Sequence, residues 1–199
     1  MDKDNQINKA VSILNQGGIV IFPTDTAFGI GCRIDKLSSV KRLFKIRKRP
    51  QTQAVPVLVD SIRMAQKYLL SPLSDNVRHL IRDYWPGALT IIYGCKLNLV
   101  SPLVRGYGKT LGVRMPDNNT ILNILKGTRV PVLAPSANFH GDSTPYHLSD
   151  LNKELIKKVD FVVSGECKIG LASTVLDVSL VHWKILRQGK IQIDFNKYV

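Results

Sequence analysis

The chain lacks much of what holds small secreted folds together, and most of what enzymes use for covalent chemistry. Its three cysteines (Cys32, Cys95, Cys167) are an odd number, widely spaced, with no CxxC pair and no neighbouring histidine. That pattern argues against a disulfide framework and against structural zinc. No apolar run approaches the ~20 residues of a membrane span. The polar start MDKDNQINKA has no signal-peptide core, so a reducing cytoplasm is the expected compartment. The four histidines (His79, His140, His147, His182) have no metal-ligand spacing, and no protein-held metal is expected. There is no GxxxxGK[ST], no GxGxxG, and no GxSxG around Ser136, which disfavours a standard phosphate loop, a dinucleotide fold and a hydrolase triad. Aromatic residues are only 7% of the chain, leaving little for base stacking. An enzyme with this inventory works by binding and orienting charged groups rather than through a covalent nucleophile.

Acids are scarce too: 15 Asp and Glu stand against 28 Lys and Arg, a net charge of +13. Such a surface attracts polyanions such as nucleic acid, nucleotides or pyrophosphate. Eight cations fall between Arg33 and Arg49 against one acid, Asp35, which marks a footprint rather than general solubility. A length of 199 residues fits one domain, taken as 1–199, and is enough to bury about 70% of the unfolded surface.

Apolar spacing gives the element order. Ile7, Ala10, Val11 and Leu14 fall on one helical face. Gly17-Gly18 ends that helix, and Ile19 to Phe22 reads as a buried strand stopped by Pro23. Gly29 and Gly31 read as a thin, ligand-facing loop, and Ser38 as the cap of a second helix. Val55 to Val59, Leu89 to Tyr93, Thr110 to Pro116 (ending at that proline), Val130 to Ala134 and Phe161 to Val163 read as strands. Helices carry Ile62 to Leu69 (capped by Asp60), Val77 to Tyr84 (capped by Ser74), Ile121 to Leu125, and Leu151 to Ile156 starting at Ser149 or Asp150. Thr174 to Val178 and Trp183 to Leu186 form a hairpin. Alternating helices and strands make an α/β domain, and the hairpin predicts a mixed, twisted sheet.

Polar clusters sit at the strand ends: Thr24 to Thr26, Thr110 to Arg114, Ser136 to Asn138, and Ser173-Thr174. Ligands of α/β sheets bind where such loops converge. Arg47-Lys48-Arg49-Pro50 adds the charge. Pro50 disfavours a helical Arg49, so an extended segment is expected, with Arg47 and Arg49 on one face and Lys48 on the other. Two guanidiniums on one face suit phosphate or carboxylate oxygens. The alternatives are a solvated helix end for the cations and turn-forming roles for the hydroxyls.

Together these segments resemble a known family. Ile19-Val20-Ile21-Phe22-Pro23-Thr24-Asp25-Thr26-Ala27-Phe28-Gly29-Ile30-Gly31 is similar to its strand, Pro-Thr-Glu-Thr and aromatic-Gly-x-Gly signature. Arg47-Lys48-Arg49-Pro50 sits where its Lys-x-Arg-Pro element belongs. Trp85-Pro86-Gly87, Leu111 to Pro116, Pro135-Ser136-Ala137-Asn138, Ser173-Thr174-Val175 and Leu186-Arg187-Gln188-Gly189 follow in the same order. The resemblance, over roughly residues 7 to 190, is to the YrdC/Sua5 family of threonylcarbamoyl-adenylate synthases in its short bacterial form.

That resemblance implies a YrdC-like (RibB-like) fold, with a twisted mixed sheet and flanking helices around a basic concave cavity. It implies a nucleotidyltransferase making threonylcarbamoyl-AMP and pyrophosphate from ATP, L-threonine and bicarbonate, with Mg2+ accompanying ATP. The product serves N6-threonylcarbamoylation of adenosine 37 in tRNAs that read ANN codons, through a separate transferase complex. Carried over by position, Thr26, Arg114, Ala134 and Ser173 surround threonine. Arg49, Gln53, Thr110, Ser136, Asn138, Thr144 and Arg187 surround ATP, and Arg47 with Arg49 holds the bicarbonate-derived carboxylate. Arg47 stands where the family has lysine, Gln53 where the longer form has asparagine, and Leu58 where that form has histidine. The competing reading is a YciO-like module that binds nucleotide or RNA (tRNA or double-stranded RNA) without making the adenylate. A hydrolase or sugar-phosphate enzyme would need acid and histidine clusters absent from this sequence.

Overall fold

The computed structural model describes residues 2–198. The first helix, α1 (Lys3–Asn15), is capped by Asp2, whose carboxylate accepts from the Asn5 amide. Its apolar stripe of Ile7, Ala10 and Leu14 packs on Ile121, Ile124 and Leu125 of α5 (Asn119–Thr128). Gly17, at φ +90°, turns the chain out of α1 and into β1 (Val20–Phe22). In a three-stranded sheet, β1 pairs antiparallel with β2 (Gly29–Gly31) and parallel with β7 (Phe161–Val162).

A second sheet has six strands. In spatial order they are β6 (Val132–Leu133), β3 (Val57–Leu58), β5 (Thr110–Arg114), β4 (Leu89–Gly94), β8 (Thr174–Asp177) and β9 (Lys184–Arg187). The β3–β5 and β4–β8 pairs are parallel and the other three antiparallel. The expected mixed α/β sheet is therefore present, with one more sheet than the strand pattern alone implied. Four more helices flank the sheets: α2 (Leu37–Ile46), α3 (Ile62–Tyr68), α4 (Asp75–Tyr84) and α6 (Lys153–Ile156). Among the described residues no helix is long and apolar enough to cross a membrane.

The two sheets meet at β2 and β6. The Ile30 amide donates to the Pro135 carbonyl, the Leu133 amide to Cys32, and the Ala137 amide to Phe28. This corrects the reading of Gly29 to Gly31 as a loop. These residues are a buried strand, and its two glycines allow close approach, Gly31 to backbone and Gly29 to a ring. A Cβ on Gly31 would lie 1.9 Å from the Leu133 carbonyl oxygen, and one on Gly29 2.8 Å from the Phe22 ring.

Three helix starts also differ from expectation. Lys36, without a side-chain bond, precedes α2, so Ser38 lies in its first turn. Ser61 rather than Asp60 caps α3, accepting from the Met64 amide. The segment after His147 forms a single tight turn at Leu148–Asp150 before Asn152 caps the short α6. At α3 and α6 another polar residue close by, Ser61 or Asn152, takes the cap, whereas α2 begins without a side-chain cap.

The β2–β6 seam yields the first prediction. Gly31→Ala should lower unfolding free energy by about 1–3 kcal/mol, because a backbone carbonyl cannot move aside as a side chain could. Urea denaturation should give an earlier midpoint with an unchanged slope. A midpoint equal to the parent's would refute the seam as drawn.

Candidate active site

At this seam lies a cavity of about 180 Å³. The small sheet contributes the turn after β1 and the start of β2, and the large sheet contributes the ends of β3, β5, β6 and β9 and the starts of β4 and β8. The end of α2 supplies the remaining wall. Four arginines line the cavity: Arg47, Arg49, Arg114 and Arg187.

Pro23 ends β1, and the next residues fold back around one hydroxyl. Thr24 Oγ1 donates to the Ala27 carbonyl at 2.7 Å and accepts from the Thr26 and Ala27 amides. This turn presents Asp25 inward to Arg114, whose Nη1 donates to Asp25 Oδ1 at 2.9 Å while Nη2 donates to Thr24 Oγ1 at 3.2 Å. Both members of this ion pair are buried. Burial pulls the Arg114 pKa below its ordinary value, and the Asp25 carboxylate opposes that shift. Asp25 Oδ2 is buried with no hydrogen-bond partner.

The segment after α2 does not run extended. Arg47 keeps helical dihedrals as the C-cap, and Lys48 takes a left-handed conformation at φ 53°. That reversal, rather than strand alternation, sends Arg47 and Arg49 to the cavity while Lys48 lies exposed near the Phe139 ring. The expected sidedness holds through a different backbone. Arg47 is 3% exposed. Its Nε donates to the Asn138 carbonyl at 2.9 Å and its Nη2 to Asn138 Oδ1 at 3.0 Å. Nη1 is buried without a partner. Burial, and next the like charge of Arg49, pushes its pKa down to about 10. Ser136 Oγ donates to the same Asn138 Oδ1 at 2.6 Å, and Asn138 Nδ2 donates to the Asp142 carbonyl, fixing the amide's orientation. Arg49 donates to the Gln53 and Ala54 carbonyls at 3.3 and 2.7 Å.

On the other sheet, Thr90 of β4 and Ser173 stand with their hydroxyl oxygens 2.9 Å apart. Arg187 donates from Nε to the Ser173 carbonyl and from Nη2 to its Oγ, both at 3.0 Å. Among the described residues, Arg47, Arg49 and Arg187 have no carboxylate within ion-pair distance. A partly desolvated guanidinium that binds only neutral oxygens retains affinity for an anion.

Nine of the twelve site residues expected from sequence line this one cavity: Thr26, Arg47, Arg49, Arg114, Ala134, Ser136, Thr144, Ser173 and Arg187. Three do not. Thr110 begins β5, four residues and so ~13 Å from Arg114 at ~3.3 Å per residue. Gln53 is exposed and offers Arg49 its backbone carbonyl. Asn138 stands behind Arg47 and faces a separate polar hollow with Asp142 and Asp150. Sequence reasoning missed Thr90, a wall residue whose signal was one hydroxyl inside an otherwise apolar strand. It also missed the Asp25–Arg114 pair, since charge complementarity over 89 positions leaves no local pattern.

The fold and the site together define a two-sheet α/β domain with an arginine-lined cavity at the sheet junction. Residues 12–189 match the Sua5/YciO/YrdC family model, described as "Telomere recombination", and the chain belongs to that family. It is 32% identical over 189 residues to the threonylcarbamoyl-AMP synthase of Bacillus subtilis, covering 94% of this chain and 54% of that protein. The structure of Pyrococcus abyssi Sua5 complexed with L-threonine is similar with a TM-score of 0.88 at 26% identity, over 95% of this chain and 55% of that one. The crystal structure of Escherichia coli YciO has a TM-score of 0.85 at 24% identity, over 100% of this chain and 94% of that one, and shows the fold. The chain thus spans about half the length of both named synthase relatives.

The buried pair gives a second prediction. Asp25→Ala strands the Arg114 charge in the interior and should cost about 3–5 kcal/mol of stability. Adding Arg114→Leu should recover part of that loss, because the two effects are coupled. Chemical denaturation of the single and double variants measures the coupling, and simple additivity would contradict the pair.

Proposed function

We propose that the chain is an L-threonylcarbamoyladenylate synthase, converting ATP, L-threonine and bicarbonate to threonylcarbamoyl-AMP and pyrophosphate. The observation that carries this reading is the set of four arginines on one cavity wall, three of them without a carboxylate. Every step of the reaction handles an anion: a carboxylate, a carbamate, a triphosphate. A cavity of about 180 Å³ is smaller than the ~300–1,000 Å³ of pockets that enclose drug-sized ligands. It suits the carbamoylated amino acid, with the nucleotide reaching outward over the less buried Arg49, Thr144 and Arg187.

In this mechanism Arg114, held by Asp25 and Thr24, receives the threonine carboxylate, and Thr26, Ala134 and Ser173 shape the space around the amino acid. The amine attacks CO2, releasing its proton to solvent, or bicarbonate, expelling water, and Arg47 and Arg49 hold the resulting carbamate. Its oxygen then displaces pyrophosphate from the α-phosphate of ATP. Fixed guanidiniums stabilise the charge that develops there. The wall shields a carbamate that water would destroy. Arg47 replaces the family's lysine in a way the geometry accommodates. Two of its nitrogens bind Asn138, a fork that a lysine ammonium cannot make.

The donor set sets the terms for a divalent ion. The wall offers guanidiniums and hydroxyls, and the nearby Asp25 carboxylate is engaged by Arg114. Mg2+ therefore fits as the companion of the triphosphate, which supplies its oxygens. The adenylate would pass to a separate tRNA threonylcarbamoyl transferase complex.

A second reading, a YciO-like module that binds nucleotide or RNA, draws on the net charge of +13. Pyrophosphate release from ATP, dependent on L-threonine, bicarbonate and Mg2+, separates the two. Its absence, together with RNA binding that weakens steeply with salt, would favour the module. Within the synthase reading, Arg114→Ala should raise KM for threonine about tenfold or more and leave KM for ATP within about threefold. Equal losses for both substrates would remove Arg114 from the threonine end.

A further inference from the structure

The hydroxyl hydrogens on the cavity wall can be counted. Thr24 Oγ1 carries one, and the Ala27 carbonyl at 2.7 Å can only accept it. The Thr24 oxygen also faces three N–H groups, those of Thr26, Ala27 and Arg114 Nη2, more than its two lone pairs can serve, so the 3.1 Å contact with Thr26 Oγ1 has no fixed direction.

The Thr90–Ser173 pair gives a definite count. Arg187 Nη2 can only donate, and it gives its hydrogen to Ser173 Oγ. The two hydroxyls hold two hydrogens, and one lies between their oxygens. Whichever residue supplies that one, the other hydrogen has no acceptor among the described residues. Both residues are nearly buried, at 4% and 6% exposure, and both line the cavity. The neighbouring charged group, Arg187, is also donor-only, and Arg114 is near enough for the two guanidiniums to repel. This corner supplies hydrogens and positive charge, and it calls for an acceptor oxygen.

We propose that Thr90 is a specificity-determining residue. With Ser173, which Arg187 holds in place, it forms a corner with a hydroxyl hydrogen to give, placed for a carboxylate oxygen of the amino-acid substrate. That spare hydrogen fixes which end of the amino acid faces β4 and β8. The identity of the amino acid rests on the synthase reading, but the hydrogen count does not.

The test uses the full chain and two nearly isosteric changes, with calorimetric titration of L-threonine and of L-threoninol, in which CH2OH replaces the carboxylate. Thr90→Val should weaken L-threonine about fivefold or more, the size of one net hydrogen bond, and Thr90→Ser should restore affinity to within about twofold of the parent. L-Threoninol should bind the parent more weakly, and Thr90→Val should alter its affinity less than about twofold. In turnover, Thr90→Val should raise KM for threonine and leave KM for ATP in place, a split that mere loss of packing would not produce. The proposal is overturned by unchanged L-threonine affinity in Thr90→Val, by failure of Thr90→Ser to recover it, or by an equal penalty for L-threoninol. Absent pyrophosphate release with the Thr90 penalty intact would sink the synthase reading and support the corner. No L-threonine binding by the parent chain would overturn both.

Discussion

A guanidinium removed from water without a carboxylate beside it is the constraint on which the site depends. Arg47 is almost wholly buried and bound by one asparagine. Desolvating a charge is costly, so the surrounding chain must hold it in place. Ser136 and the Asp142 carbonyl orient the asparagine, and the left-handed turn at Lys48 allows Arg49 to follow Arg47 into the same space. Arg114 is treated differently, since Asp25 neutralises much of its charge. The cavity thus has a nearly balanced region beside the Thr24 turn and an uncompensated region near Arg47 and Arg49.

Both regions exist because two sheets join through backbone rather than through side chains. Residues Gly29 to Gly31 lie against the strand and turn of 132–137, and hydrogen bonds run along that seam. Side chains of any size at Gly31 would hold the sheets apart. The walls are therefore set relative to one another before any ligand arrives, which lowers the ordering cost of binding.

Much of this was legible in sequence, for identifiable reasons. Helix α4 follows an apolar pattern strong enough to set its extent almost to the residue, and β5 begins at the expected Thr110 but ends at Arg114, short of Pro116. The hydroxyl and arginine clusters fall at strand ends, and nine of the expected residues share one wall. The failures came where direction matters more than composition. Thr110 and Arg114 belong to one strand, but only its far end reaches the site. Thr90 looked like an ordinary strand residue until its neighbour across the sheet, Ser173, was in place. The three-residue β2 was too short and too rich in glycine to show a period, and the turn at Lys48 required a positive φ that no glycine announced.

The wall composition has a consequence for how the protein responds to acid and base. Among the described residues, the cavity is lined by arginine, threonine, serine and apolar groups, with no histidine, lysine, cysteine, tyrosine or carboxylate on its surface. Even Arg47, with its pKa pushed down to about 10, remains protonated through the neutral range. The cavity surface therefore carries no side chain whose ordinary pKa lies between mild acid and mild base. On the synthase reading proposed above, a pH profile in that interval would belong to the ligands: to the amine that must be free to attack, and to the balance between carbon dioxide and bicarbonate.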